Sequence, residues 1–404
     1  ARRDLVEASW RHLAIGSIAS IAGMKIMVEK LVNVETIGCY FESLSDPRHS
    51  RNRKHLLVDI IVITICGMIC GSDGPTAIHR WAMHRREWLQ TFLELPEGIP
   101  SRDCIRRLLL ALQPSAFQKC FQEWLTDALQ TSPEGRLIRI DGKTCRGSHD
   151  GGKSLGALHI VSAWASEEGL ALGQVATDDR SNEITAIPEL LSHMNLQGAV
   201  VTIDAIGTQK EITKQIVDRK GDYVLVVKNN QPKLRAAIHD FFAEHLNRNL
   251  EDLQYRYHET TDDGHGRIDE RSYYLTKIPA DFPLKKEWPT IKAIGYSLRI
   301  TRTPDGREVD TVRYYILSRY LSGKRFSEAV RGHWSIESLH WLLDVTFRED
   351  DSRTRERTLA NNLSWLRRFA VSLLKRHPVN DSIRGKMIRC LMDNHFLSEV
   401  LAIT

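Results

Sequence analysis

From Phe41 to Gln130 the apolar residues recur at steps of three and four, the period of one helix face. Four stretches carry it: KHLLVDIIVITICGMICG, PTAIHRWAMHRREWLQTFLEL, RDCIRRLLLAL and PSAFQKCFQEWLTDAL. Pro114 suits a first helical turn, and Ser101, just before RDCIRR, offers a side-chain oxygen to the first free N–H groups. After Ser132 the pattern shortens to strands. LIRID, ALHIVSAWAS, LALGQVATDD, AVVTIDAIG and DYVLVVKNN are compact runs rich in Val, Ile and Leu. Helical stretches follow in ITAIPELLSHM, TQKEITKQIVDRK and QPKLRAAIHDFFAEHL. Three strands in a row and then strand–helix alternation predict an α/β fold, a mixed sheet with helices on it. Strand signals return over 250–320, with Pro304, Asp305 and Gly306 marking a hairpin. A long amphipathic helix is expected from Lys324 to Phe347, and two basic helices close the chain. Residues 1–40 show no clear period and are set apart as a leader.

Composition narrows the class without naming a function. The chain has 404 residues, 42% of them hydrophobic and 26% charged, which fits a globular protein of two or three units. Its net charge is only +5, so placement matters more than the total. From Asp351 to Thr404 there are ten Lys and Arg against five Asp and Glu, and a second basic knot, DPRHSRNRKH, spans Asp46 to His55. Such patches suit a polyanion or a solvated face. Seven scattered cysteines make no disulfide framework and fit a reducing cytoplasm. Cys66 and Cys70 share a helix face, but no further Cys or His follows at zinc spacing, so they read as core residues. The longest apolar run, IIVITICGMIC, is too short for a membrane span.

The candidate chemistry lies at strand ends. In LIRID, alternation puts Leu137, Arg139 and Asp141 on one face and Ile138 and Ile140 on the other. Asp204 ends the run VVTID in the same way, just before Ala-Ile-Gly. One such aspartate caps a turn as readily as it binds an ion. Two on neighbouring strands repel each other unless a cation sits between them, and magnesium is the hard cation that carboxylate oxygens prefer. On the helix RGHWSIESLHWLLDVTFREDDSR, Glu337, His340 or Trp341, and Asp344 fall on one stripe and supply a third acid.

These segments occur in order with FESLSDPRHSRNRKHLLVDI, IPSRDCIRRLLLAL, IRIDGKTCRGS, SNEITAIPELL, VTIDAIGTQKEI, YVLVVKNNQ, HGRIDERSYY, RGHWSIE and LHWLLDVTFREDDSRTR. Together they resemble the DDE-class insertion-sequence transposases of the H-repeat-associated, Rhs-element-linked family, over roughly residues 41–396. The resemblance implies a ribonuclease-H-like mixed sheet flanked by helices, a β-rich insertion and an α-helical N-terminal region. It divides the chain into a leader (1–40), a helical, DNA-binding region (41–132), a catalytic domain (133–376) with its insertion about 250–320, and a helical tail (377–404).

Carried over by residue, Asp141 of IDGK, Asp204 of IDA and Glu337 of HWSIE are the implied catalytic and metal-binding acids. Between Glu337 and Leu-His-Trp stands the single Ser338, where the family pattern has one residue more. A deletion turns the helix beyond it by about 100°, which makes Asp344 the fallback third acid. The hairpin-forming DDE group has a lysine near 344 and an arginine near 333, where this chain has Asp344 and His333. The implied reaction is cleavage at the element ends and strand transfer into target DNA. It uses two magnesium ions about 3.5–4 Å apart, for which manganese is expected to substitute. Double-stranded DNA is the implied partner, with self-association on it.

Gly142 is expected to admit DNA close to the backbone and Lys143 to meet a phosphate. Lys228, Asn230, His265, Arg267, Arg331 and Arg353 complete the expected DNA contacts. Arg48 to Lys54, Arg106 and Arg107 are expected to bind DNA from the helical region. Arg367, Arg368, Lys375 and Arg376 would line a channel, with at most one of the two adjacent arginines facing DNA. Asp178, Asp179 and Glu183 read as turn and cap residues rather than as supports of the catalytic acids. The alternative is a catalytically inactive relative that only binds DNA.

Overall fold

The computed structural model describes residues 34–129, 134–153, 155–177, 183–264, 267–332 and 334–401. The N-terminal helices are α1 (Val34–Glu42), α2 (Leu57–Ile69), α3 (Pro75–His84), α4 (Arg86–Leu89), α5 (Arg102–Ala111) and α6 (Pro114–Leu129). Ser101 caps α5 by accepting the Cys104 N–H at 3.2 Å. Helix α2 is buried over nearly its whole surface, as expected of a helix that is apolar all round. Its Asp59 is buried too, and the carboxylate accepts the Leu95 N–H at 2.9 Å.

Among the described residues nine strands form one sheet: β1 (Leu137–Cys145), β2 (Leu158–Ala165), β3 (Leu170–Thr177), β4 (Val200–Ile203), β5 (Asp222–Val227), β6 (Tyr255–Gly264), β7 (Arg267–Lys277), β8 (Ala293–Arg302) and β9 (Glu308–Leu317). Their order is β3-β2-β1-β4-β5-β9-β8-β7-β6. The first three are antiparallel, β1, β4 and β5 run parallel, and β9 returns antiparallel to β5. The strands of 250–320 therefore extend the same sheet. The turn from β8 to β9 closes at Gly306, whose positive φ of 78° is open to glycine at little cost.

Helices α7 (Glu183–Ser192), α8 (Lys210–Asp218) and α9 (Pro232–Leu246) cover one face, on Ile138, Ile140, Val201, Ile203 and Leu225. The other face carries Leu137, Val200, Val224 and Tyr315 under α10 (Gly323–Gly332), whose Phe326 packs on them. Over the 324–347 stretch expected to be helical, the described residues form α10 and α11 (Trp334–Trp341), with His333 between them outside the described residues, and a π-helical turn, Leu342–Thr346, follows. At Gly332 a Cβ would collide with the Arg139 guanidinium, so a glycine stands where the helix crosses β1.

Helix α12 (Arg357–Arg376) joins the two parts, and α13 (Ile383–Met392) and α14 (Asn394–Leu401) follow it. One continuous core runs from Phe41, Ile60, Phe117 and Trp124 to Trp365, Phe369 and Leu401, and on to Trp164 of β2. Each such large side chain contributes about 1.5–3 kcal/mol on burial. The tail and the N-terminal helices thus share a single core. No helix is long and apolar enough to cross a membrane among the described residues.

The channel expected at Arg367 and Arg368 fails for reasons of packing, and the basic knot is narrowed to its exposed members. Arg367 and Arg368 are 2% and 0% exposed, and Arg368 pairs with Glu349 at 3.0 Å. Neither faces a channel, because α12 is enclosed on several sides by helices and strands. Lys375 lies over the Trp164 ring at 5.0 Å, and Arg376 is half-buried. In the N-terminal knot Arg48 is held in place: it donates to both Asp46 carboxylate oxygens and to the His55 carbonyl. Arg51, Lys54, Arg106 and Arg107 are exposed.

Candidate active site

The sheet register brings the two strand-end aspartates together. Ile140 of β1 pairs with Ile203 of β4 in parallel, so Asp141 and Asp204 follow side by side. Asp141 Oδ1 accepts the Gly142 N–H at 2.9 Å. Asp204 caps the short turn Ala205–Gly207, accepting the Ala205 N–H at 2.6 Å. It therefore caps a turn and faces the cavity at once, so the two uses weighed for it are compatible.

A cavity of about 320 Å³ opens beside them, lined by Asp141, Asp204, Glu337, Thr202, Lys228 and Arg313 among others. Glu337 reaches it from the first turn of α11. That helix is anchored by Ile336 and Leu339, at 0% and 1% exposure in the helical core, which leaves Glu337 exposed on the opposite side. Burial pushes Asp141 up to about 6, and the carboxylates of Glu183, Asp204 and Glu337 add to it, against the Gly142 hydrogen bond. His340, one turn beyond Glu337, places Nδ1 3.8 Å from Asp141 Oδ2.

Carboxylate oxygens are the donors magnesium takes, and like charges around one cavity favour a cation among them. Among the described residues no group of three acids, histidines or cysteines is yet arranged to hold an ion. Instead the Lys228 ammonium lies 3.0 Å from Asp204 Oδ1. The donor set fits a divalent metal, and gathering it round an ion requires side-chain rotation.

Asp344 stands apart from this cavity. Its carboxylate is 2.6 Å from Lys143 Nζ, which also meets Asp350 at 3.0 Å and Glu349 at 3.4 Å. Burial opposes the charge on Lys143, but these acids outweigh it and raise its pKa. Lys143 is thus no free phosphate contact: it sits on the Asp141 side of β1, where α12 and the turns before it enclose it. The run FREDD, which includes Glu349 and Asp350, serves the same knot.

Gly142 lines the carboxylate cavity, while the side where a Cβ would sit faces inward. A Cβ there would press on His159 Nε2 and come within 2.5 Å of Glu183 Oε1. His159 Nε2 and Glu183 Oε1 are 2.7 Å apart, and both residues are buried. Glu183 is therefore more than a cap. It supports the sheet behind Asp141, and His159 was missed because only the β1–β2 register brings it near.

The other expected contacts are dispersed. Asn230 donates to the Ala205 carbonyl at 2.5 Å and so steadies the Asp204 turn. Arg331 is bound to Asp262, and Arg267 lies 3.4 Å from Asp269. Arg353 is exposed beside Arg348 and Arg355 on a cavity of about 660 Å³. His265, Asp178, Asp179, His333 and most of the leader lie outside the described residues. Thr202 was within reach of the sequence, since it alternates onto the face of Asp204. Arg313 was not, because its strand joins the site only through β5.

Residues 132–374 match the family model described as "Transposase DDE domain", and residues 39–125 match "DDE_Tnp_1-associated". A protein of Escherichia coli named "Putative transposase YncI" is 36% identical over 92% of this chain and 95% of its own. Another from the same species, "H repeat-associated putative transposase YhhI", is 36% identical over 89% of this chain and 96% of its own. A piggyBac transposase synaptic complex with hairpin DNA overlaps 92% of this chain and 77% of its own, at 10% identity and a TM-score of 0.37.

Proposed function

The chain belongs to the transposase family defined by this DDE domain, and on that premise we propose that it cuts DNA at the ends of its element and joins them to target DNA. The observation that carries the proposal is one cavity lined by Asp141 from β1, Asp204 from β4 and Glu337 from α11. The order β3-β2-β1-β4-β5 supports reading these strands as a ribonuclease-H-like core, with β6 to β9 as its insertion. In this division residues 41–132 help to hold DNA, and the exposed Arg51, Lys54, Arg106 and Arg107 are the residues available for it.

When bound, two magnesium ions supply charge neutralisation and activation of a water or a 3′ hydroxyl for in-line attack on the phosphodiester. The three carboxylates hold that charge in place. The Asp141 position is fixed by the sheet and by the Gly142 N–H, and the Asp204 position by its own turn. The exposed side of α11 brings Glu337 to the same cavity. Lys228, 3.0 Å from Asp204 Oδ1, would be released to a DNA phosphate were Asp204 to hold a cation.

The test is cleavage of a duplex carrying an element end, identified by mapping the inverted repeats around the gene. Asp141→Asn, Asp204→Asn and Glu337→Gln each keep the side-chain shape but lose an anionic oxygen. Each should abolish magnesium-dependent cleavage, with DNA binding and melting temperature retained, and the losses should not add. Cleavage that survives Glu337→Gln would remove the third acid from the proposal. If the unaltered chain binds the ends but cuts them with neither magnesium nor manganese, the inactive relative is the correct reading.

A further inference from the structure

Next to the carboxylate cavity lies a second one, of about 200 Å³, that the catalytic acids do not enter. Four arginines line it, Arg271 of β7, Arg299 of β8, Arg313 of β9 and Arg331 of α10, with Tyr273 and Tyr315, and no lining residue is acidic. We propose that this cavity binds a backbone phosphate of the DNA strand being cut, a few nucleotides from the scissile bond. The inference rests on the reading of the chain as a DNA-cutting enzyme.

The register places the arginines in a row. Ile203, just before Asp204, pairs with Leu225, and the next residue of β5, Val226, pairs with Tyr315. Arg313 lies two residues along β9 from Tyr315, on the same face. It pairs with Ser297, which pairs with Tyr273. Two residues further on, Arg299 and Arg271 stand directly opposite each other. Arg313 and Tyr315 line both cavities, so the two are contiguous on one sheet face. Two strand steps separate Asp204 from the strand of Arg313, roughly 10 Å at about 4.8 Å per step. At about 3.4 Å of rise per nucleotide, that is roughly three nucleotides from the cut.

Three of the four guanidiniums, those of Arg271, Arg299 and Arg331, are held by acids beside them. Asp269, 4% exposed, accepts from Arg271 at 2.9 Å and from Arg299 at 2.8 Å. Asp262 accepts from Arg331 at 2.8 Å and also from Arg271. These contacts orient the guanidiniums at the wall of the cavity they line, where their charge meets an oxyanion. Orienting them beforehand lowers the cost of ordering them around a phosphate. Four cations against two acids leave an excess of two positive charges. The excess positive charge favours the anionic phosphate over a neutral base, so the contact is expected to be independent of sequence.

The experiment uses the full chain and a duplex carrying one element end, with binding measured over a salt series. Arg313→Gln should weaken binding about tenfold, the loss of one charged hydrogen bond, and reduce the salt slope by about one. Arg313→Lys should restore most of the slope. Independently of any variant, neutral methylphosphonates are placed singly at about two to six nucleotides from the cut. One position should weaken binding by the unaltered protein, and that effect should vanish in Arg313→Gln. If the unaltered protein binds and cuts the duplex while no methylphosphonate position matters, this inference fails alone. The same holds if Arg313→Gln and Arg271→Gln keep affinity and slope. If the unaltered protein binds no duplex, the inference falls together with the proposed function.

Discussion

Glu349→Gln should destabilise the protein strongly although the residue touches neither cavity. Glu349 is 1% exposed, and its Oε1 accepts from Ser364 Oγ at 2.8 Å and Arg368 Nη1 at 3.0 Å. Glutamine keeps the volume and the Ser364 contact but leaves the fully buried Arg368 without its countercharge. Removing one partner of a buried pair costs about 3–5 kcal/mol. An independent estimate comes from the protonation of the acid itself. Burial pushes Glu349 upward, but Arg368, Lys143, Arg367 and Ser364 outweigh it and hold the carboxyl at about 2, below its ordinary 4.5. At 1.36 kcal/mol per pH unit that depression is worth about 3 kcal/mol, in agreement. Because the folded value is the lower one, this stability is present above pH 4.5 and is lost as the pH falls from 4.5 towards 2. Thermal melting followed by circular dichroism should therefore show Glu349→Gln roughly 3–10 °C below the unaltered protein at pH 7. The gap should narrow below pH 4.5. A variant that melts within about a degree of the parent at pH 7 would show that Lys143 and Arg368 find other partners. A gap that stays constant down to pH 3 would refute the electrostatic argument.

Three further outcomes are expected. Gly142→Ala should cost about 1–3 kcal/mol by crowding His159 and Glu183, measured by melting without DNA; an unchanged melting point would show that His159 and Glu183 give way without cost. Asp344→Asn should leave cleavage within about threefold and stability within about 1 kcal/mol, because Lys143 keeps Asp350 and Glu349; abolished cleavage would make Asp344 the third acid. Arg48→Ala should lower the melting point, whereas Arg51→Ala with Lys54→Ala should leave it unchanged and lower DNA affinity more at low salt than at high. The opposite pattern would make Arg48 a DNA contact and the exposed pair idle.

Much of this was legible from local pattern. The alternation in LIRID assigned Asp141 and Ile140 to opposite faces without knowledge of the neighbouring strands, and the apolar runs marked β1 to β5. Charge was read less well, because a sequence shows that a side chain is charged but not where its partner lies. Lys143, Arg367 and Arg368 look like DNA contacts until Glu349 and Asp350 arrive from elsewhere in the chain. The helical period over 324–347 was legible, but the π-helical turn Leu342–Thr346 that follows Trp341 was not, since nothing in the spacing marks it. His159 and Arg313 became neighbours of the acids through strand pairing, for which no single stretch carries a signal.

The core shared by α1 to α6 with α12 to α14 means that this protein does not come apart in modules. A fragment ending near residue 130 would expose Phe121 and Trp124, which close on Trp365 and Phe369. A premature stop a few dozen codons from the end would strip the covering from both the helical body and Trp164. Copies of the gene shortened at the 3′ end should thus yield aggregating chains rather than DNA-binding competitors of the intact protein. Recombination that exchanges only the first third of such a chain should succeed only when the final third comes from the same parent.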